Sequence, residues 1–166
     1  MKNKKTISIV LLMAVLLAGG ITIGMNWDSW FGKDDPKDSL AVDDQAEDWT
    51  GNKETYTGKK NTDTIDIPGY GAIDLQADTV KQAVNLYNPE QNNCYFKMSL
   101  LLEDGTKLWE SQLIAPGKAV YKITLNQALK AGEYKDATLK YECFKMNEER
   151  TPLNGSEIKL NLNVRK

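Results

Sequence analysis

The sequence contains no histidine. Ser-His and Cys-His nucleophile pairs, histidine-ligated zinc and an imidazole pH switch are therefore excluded, which leaves carboxylates, tyrosine and lysine for proton chemistry. Cysteine is almost absent as well. Its two copies, Cys94 and Cys143, cannot build a four-thiolate metal site or an iron–sulfur cluster, and no cofactor is expected. Five prolines and twelve glycines among 166 residues fit neither a collagen nor a disordered-repeat composition. With 27% charged and 41% hydrophobic residues the chain has room for one ordinary domain.

Charge is also missing locally. Residues 7–25 form a run of 19 without one charged side chain, preceded by Lys2, Lys4 and Lys5. As a helix this run spans about 28 Å, the thickness of a bilayer's hydrocarbon core. The lysines predict a cytoplasmic tail over residues 1–6, a transmembrane signal anchor over 7–25 and an extracytoplasmic location for the rest. Trp27, Trp30 and Phe31 lie just beyond the run, where amphipathic rings settle at headgroup level. A cleaved signal peptide is the alternative, with small residues at Ala18-Gly19-Gly20. An uncleaved anchor is preferred because Ile21, Ile23 and Met25 continue the apolar run past that site.

Residues 26–63 carry ten Asp or Glu against five Lys and few apolar side chains. They read as an acidic flexible linker, because such a stretch cannot bury enough surface to offset chain entropy. Its paired aspartates lack the spacing of a calcium loop.

Residues 64–166 hold thirteen acidic and thirteen basic side chains, so no basic stripe is present and no nucleic-acid partner is expected. Their apolar residues recur every second position. Ile158, Leu160, Leu162 and Val164 mark the clearest strand; Cys94, Phe96, Met98, Leu100 and Leu102 mark a second. Asp104-Gly105 predicts a hairpin turn, with the returning strand at 106–111. Further strands are expected at 80–87, 119–125 and 134–145, with a split first strand at 65–67 and 73–75. Residues 126–131 suggest at most one helical turn. Seven or eight short strands in this length predict an all-β, immunoglobulin-like antiparallel β-sandwich. The segment from Leu129 through Gly132 to Tyr134 resembles a tyrosine corner, with Gly132 supplying permissive backbone before the strand.

Tyr95, Trp109 and Phe144 fall opposite the apolar stripes of their strands, which makes them candidate partner-binding side chains; packing over an edge or a loop is the alternative. Cys94 and Cys143 sit on the apolar sides of strands that an immunoglobulin order makes antiparallel neighbours, so a disulfide is expected. The register leaves a second outcome open. Pairing the cysteines sets Lys97 opposite Lys140, whereas a slip of two residues sets Lys97 opposite Glu142 and separates the sulfurs, leaving two buried thiols.

The N-terminal anchor, the juncture from Asn26 to Gly32, Ile65-Asp66-Ile67-Pro68-Gly69-Tyr70, the segment from Tyr87 to Phe96 and Tyr141-Glu142-Cys143-Phe144-Lys145-Met146 together resemble small anchored proteins of Gram-positive bacteria. That resemblance covers most of the chain and implies no catalytic residues. Some members travel with conjugative or other mobile elements, and some carry a label of tRNA uracil-5-methyltransferase. The label does not suit this sequence: Gly69-Tyr70-Gly71 is a lone G-x-G with no helix after it, and a neutral domain outside the membrane does not meet tRNA. Carboxylate pairs such as Glu103 with Glu110, or Asp74 with Asp78, read more simply as solvated charge, so the chain is not expected to be an enzyme.

The expectation is an extracytoplasmic interaction or assembly module of the cell envelope with an envelope protein partner, held by residues 7–25 in the cell membrane. The conjugation link comes from the resemblance alone. A cell-wall carbohydrate-binding or surface-accessory domain is the alternative. Protease added to intact protoplasts is expected to remove residues 64–166; survival of this domain until the membrane is broken would reverse the orientation.

Overall fold

A computed structural model describes residues 40–51 and 58–166. The tail, the anchor at 7–25 with its cleavage alternative, the aromatic belt and the first part of the linker lie outside these residues. Among the described residues no helix is long and apolar enough to cross a membrane.

The described chain is all-β and forms two sheets. Its strands are β1 (Glu47–Asp48), β2 (Ala72–Gln76), β3 (Lys81–Tyr87), β4 (Cys94–Leu101), β5 (Lys107–Glu110), β6 (Lys118–Thr124), β7 (Gly132–Lys145) and β8 (Pro152–Arg165). A three-stranded sheet has the order β1-β6-β3, and a five-stranded sheet the order β2-β8-β7-β4-β5. The core draws on both. Leu86, Val120 and Ile123 from the smaller sheet join Phe96, Met98, Leu100, Leu139, Tyr141, Leu160, Leu162 and Val164 from the larger one. Phe96 meets Tyr141 edge to face, with ring centroids 5.3 Å apart, the arrangement in which aromatic quadrupoles attract.

The strands follow from the period-two pattern: β2 alternates exposed and buried residues throughout, and β8 does so over its second half. The turn after β4 is the expected one. Gly105 takes a φ of 84°, a region open to glycine, and Thr106 donates its N–H to the Asp104 carboxylate at 2.9 Å.

Four expectations are corrected. The pairing of β2 with β8 is parallel, because the connection after β2 crosses to the other sheet and leaves β2 beside the last strand running in the same direction. Residues 65–67 form no strand: the Asp66 N–H and C=O are both bonded by the Asn92 side chain, at 2.8 and 2.9 Å, instead of by a neighbouring strand. Residues 126–131 make no helical turn, since Asn126 is drawn to the carbonyls of Leu108 and Lys107. Finally, the compact unit begins at Leu40, not at residue 64. Part of the expected linker is a strap. Val42 bridges to Leu113, β1 pairs with β6, and the Trp49 indole stacks on Tyr87 at 4.0 Å, occupying the space that a side chain at Gly51 would need.

At the end of the domain where β3 passes to β4, Asn88 and Asn92 are fully buried. The Asn88 amide donates to the carbonyls of Cys94 and Ile114, both at 2.9 Å, and its oxygen accepts from the Asn92 amide at 2.9 Å. Without Asn88 the Ile114 carbonyl keeps the Phe96 N–H, but the Cys94 carbonyl and one Asn92 amide N–H are stranded, and a buried unpaired polar group costs about 1–3 kcal/mol. Replacing Asn88 by Ala is therefore expected to lower stability by about 2–3 kcal/mol. Denaturant midpoints of Asn88→Ala and of the exposed Asn85→Ala check this, and equal effects would refute it.

Candidate functional site

The outer face of the five-stranded sheet carries the side chains that point away from the core. On β4 these are Tyr95, Lys97 and Ser99, and the register sets Tyr95 opposite Phe144, Lys97 opposite Glu142 and Ser99 opposite Lys140 on β7. Glu110 on β5 lies opposite Ser99. Its carboxylate meets Lys97 at 3.0 Å, Lys107 at 2.5 Å and the Ser99 hydroxyl at 3.1 Å. Burial works to raise the Glu110 pKa, but the two ammonium groups outweigh it and hold the carboxyl down at about 2. A general acid would need the opposite shift. The other paired carboxylates are also engaged: Asp78 binds Lys130 at 2.6 Å, and Asp74 accepts from Asn163 at 3.0 Å.

At one end of this face Tyr95 and Phe144 form a cross-strand aromatic pair capped by the β7–β8 turn. Asn147 organises that turn, donating to the Thr151 hydroxyl at 2.9 Å and accepting from the Thr151 N–H at 3.1 Å. The turn carries Arg150 back over the sheet with a φ of 50°, and its guanidinium lies 4.5 Å from the centre of the Tyr95 ring. Pro152 faces Phe144 from β8. Phe144 is buried yet stands outside the main core cluster, so this is a separate small packing unit on the outer face. Beside it runs a groove of about 470 Å³ whose walls include Lys140, Glu142, Phe144 and Glu157.

Two of the three candidate partner residues thus come together, and Trp109 does not. Between Leu100 and Leu101 the β4–β5 register shifts, so that Trp109 stands opposite Leu100 and Lys107 opposite Leu101. The extra residue, Leu108, is accommodated in a bulge, and both Leu108 and Trp109 join the core. Simple alternation would have sent Trp109 outward. Arg150 was missed because a charge in a turn gives no periodic signal.

Tyr134 occupies the place expected of it, its hydroxyl donating to the Lys130 carbonyl at 3.1 Å near the start of β7. Gly132 does not act as foreseen. It is the first residue of β7 without a positive φ, and the left-handed residue is Asp136, at 53°, where the β7–β8 register shifts.

The expected disulfide is absent, and both cysteines are buried free thiols. The register is the slipped one: Cys94 faces Lys145, Cys143 faces Phe96, and Lys97 faces Glu142. Setting Lys97 opposite Lys140 would have opposed like charges on the same face. The cysteines become diagonal neighbours instead of the directly opposed pair that the bridged register would have made. A hydrogen bond from Cys143 to Cys94 lowers the Cys94 pKa against the effect of burial, and the same bond together with burial pushes Cys143 far up.

No family model, curated protein or solved structure matches the chain.

Mass spectrometry of the protein denaturated with an alkylating agent and without reductant is expected to find both Cys94 and Cys143 modified. A mass two hydrogens lower, with neither modified, would restore the bridge.

Proposed function

We propose that the chain is a membrane-anchored, extracytoplasmic immunoglobulin-like module that docks a protein partner of the cell envelope through the Tyr95–Phe144–Arg150 end of its larger sheet, without catalysis. The immunoglobulin-like reading is supported by the two sheet orders and by the Tyr134 hydrogen bond to Lys130. The anchor and orientation rest on the lysines before residue 7 and the uncharged run after them. A role in a conjugation apparatus rests on the resemblance described above.

The observation that carries the docking reading is the Arg150 guanidinium stacked on Tyr95 beside Phe144. Tyr and Arg dominate interface hot spots because they offer wide contact area together with hydrogen-bonding groups. The same stacking bears on the alternative. A sugar-binding platform needs a bare aromatic face, and here one face of Tyr95 is occupied by Arg150 while Phe144 is only 8% exposed.

Pull-down of the full-length protein from solubilised membranes tests the reading beside a peptidoglycan sedimentation assay. The wild type is expected to retain an envelope protein that the Tyr95→Ala/Arg150→Ala variant loses by roughly 30-fold, the size of a hot-spot loss. Lys81→Ala, on the other sheet, is expected to retain it. Sedimentation with peptidoglycan that depends on Tyr95 would favour the carbohydrate reading, and equal retention by both variants would overturn docking at this face.

A further inference from the structure

Among the described residues the larger sheet ends in β2 and β5 and the smaller one in β1 and β3. Natural sheets blunt such edges with bulges, charges or very short strands, because an open edge accepts further strands. β3 carries a bulge between Ala83 and Leu86 and begins at Lys81; β5 has four residues and the Leu108 bulge. β6 differs. On its side away from β3 it pairs with β1 only at Ala119 and Lys118, so residues 120–124 have no neighbouring strand there among the described residues.

The strap does not cover this run. It leaves β6 before Glu47 and crosses to Leu113, where Asp43 donates its N–H to the Leu113 carbonyl and Leu113 donates to Ala41, both at 2.9 Å. A cleft of about 480 Å³ lies between the strap and β6. Its apolar lining includes Trp109, Val120 and Ile123, each nearly buried. Its rim carries Asp43, Asp44 and Glu47, which no ammonium or guanidinium pairs among the described residues. Glu110 also borders the cleft but is neutralised by Lys97 and Lys107, and Lys122 is the cation that lines it. The balance at the rim is acidic.

We propose that the free run of β6 at residues 120–124 accepts one extended peptide segment of a partner protein, carrying apolar and basic side chains, as an added strand. Backbone hydrogen bonds to β6 supply affinity that does not depend on sequence, and the acidic rim supplies selection for cationic side chains. Val120 shares a face of β6 with Lys122 and Thr124, and Ile123 shares the other with Tyr121, so both faces offer apolar contact to the added segment, while Asp43, Asp44 and Glu47 at the rim attract its cations. A five-residue strand is about 17 Å long, so a short linear segment is sufficient. This site is separate from the Tyr95 face, and neither reading depends on the other.

The test uses the full-length protein in detergent with a short synthetic peptide alternating valine and lysine. Hydrogen exchange at the amides of residues 120–124 is expected to slow roughly tenfold when the peptide is bound, the effect of closing an exposed backbone edge. Binding is expected to weaken with added salt and to fall roughly tenfold in Asp43→Asn/Asp44→Asn, which removes charge while keeping the local geometry. A valine–glutamate peptide and a valine–lysine peptide N-methylated at every second residue are expected not to bind. Protection at another edge, no protection at 120–124, unchanged binding by the double variant, or binding of either control peptide would overturn the proposal.

Discussion

The Asn88 amide donates to Cys94 and Ile114 and accepts from Asn92, whose own amide also donates to the Asp66 carbonyl while its oxygen accepts from the Asp66 N–H. These two side chains use nearly all their hydrogen-bonding capacity inside the protein. They stand in for a strand pair. The Asn88 backbone adds bonds to Lys118 and Gly117 at 2.9 and 2.8 Å, so one residue ties the start of β4, the start of β6 and the loop between β5 and β6. Without these donors the Cys94 and Asp66 carbonyls would lose these bonds, and a buried unpaired carbonyl costs more than a typical hydrogen bond contributes.

Because this cluster fixes where β4 begins, it also constrains what β4 can pair with. Phe96 exchanges backbone hydrogen bonds with Ile114 at 3.0 and 2.7 Å, on the side of β4 away from β7. On the other side the ladder with β7 then runs from Cys94 opposite Lys145 to Leu101 opposite Thr138. The thiols become diagonal neighbours in the same step that brings Tyr95 opposite Phe144. The outer aromatic pair and the unbridged cysteines are two results of one register.

Most of the strands were legible because their apolar residues alternate over a core face and the turn residues bracket them, as in β4, β7 and β8. What alternation could not give was any place where the backbone leaves the regular ladder. Lys107-Leu108-Trp109-Glu110 reads equally well with either apolar residue inward, and the bulge that admits both is a tertiary choice. Asp66 resembled a strand residue because its neighbours Ile65 and Ile67 are apolar, yet its hydrogen bonds go to a side chain distant in sequence. The register of the cysteines was legible only as two alternatives, separated by the charge that faces Lys97. The strap escaped because its acidic stretch has no period, and its hold on the domain depends on one tryptophan.

That tryptophan explains why the strap can be fixed and still stand away from β6. The ion pair between Asp48 and Lys118, at 2.7 Å, is well exposed and contributes little. The larger contribution at this end is the Trp49 ring stacked on Tyr87 at an interplanar angle of 8°, over a glycine that leaves it space. At the other end the bonds between residues 41–43 and Leu113 hold the chain near β5. An extended strap continuing along β6 would have to give up one of these attachments, because Leu113 precedes the loop into β6 and does not lie on that strand. The strap therefore crosses from one attachment to the other and bounds the cleft between them. Its carboxylates are placed at the rim by the same two anchors that keep it from completing the sheet.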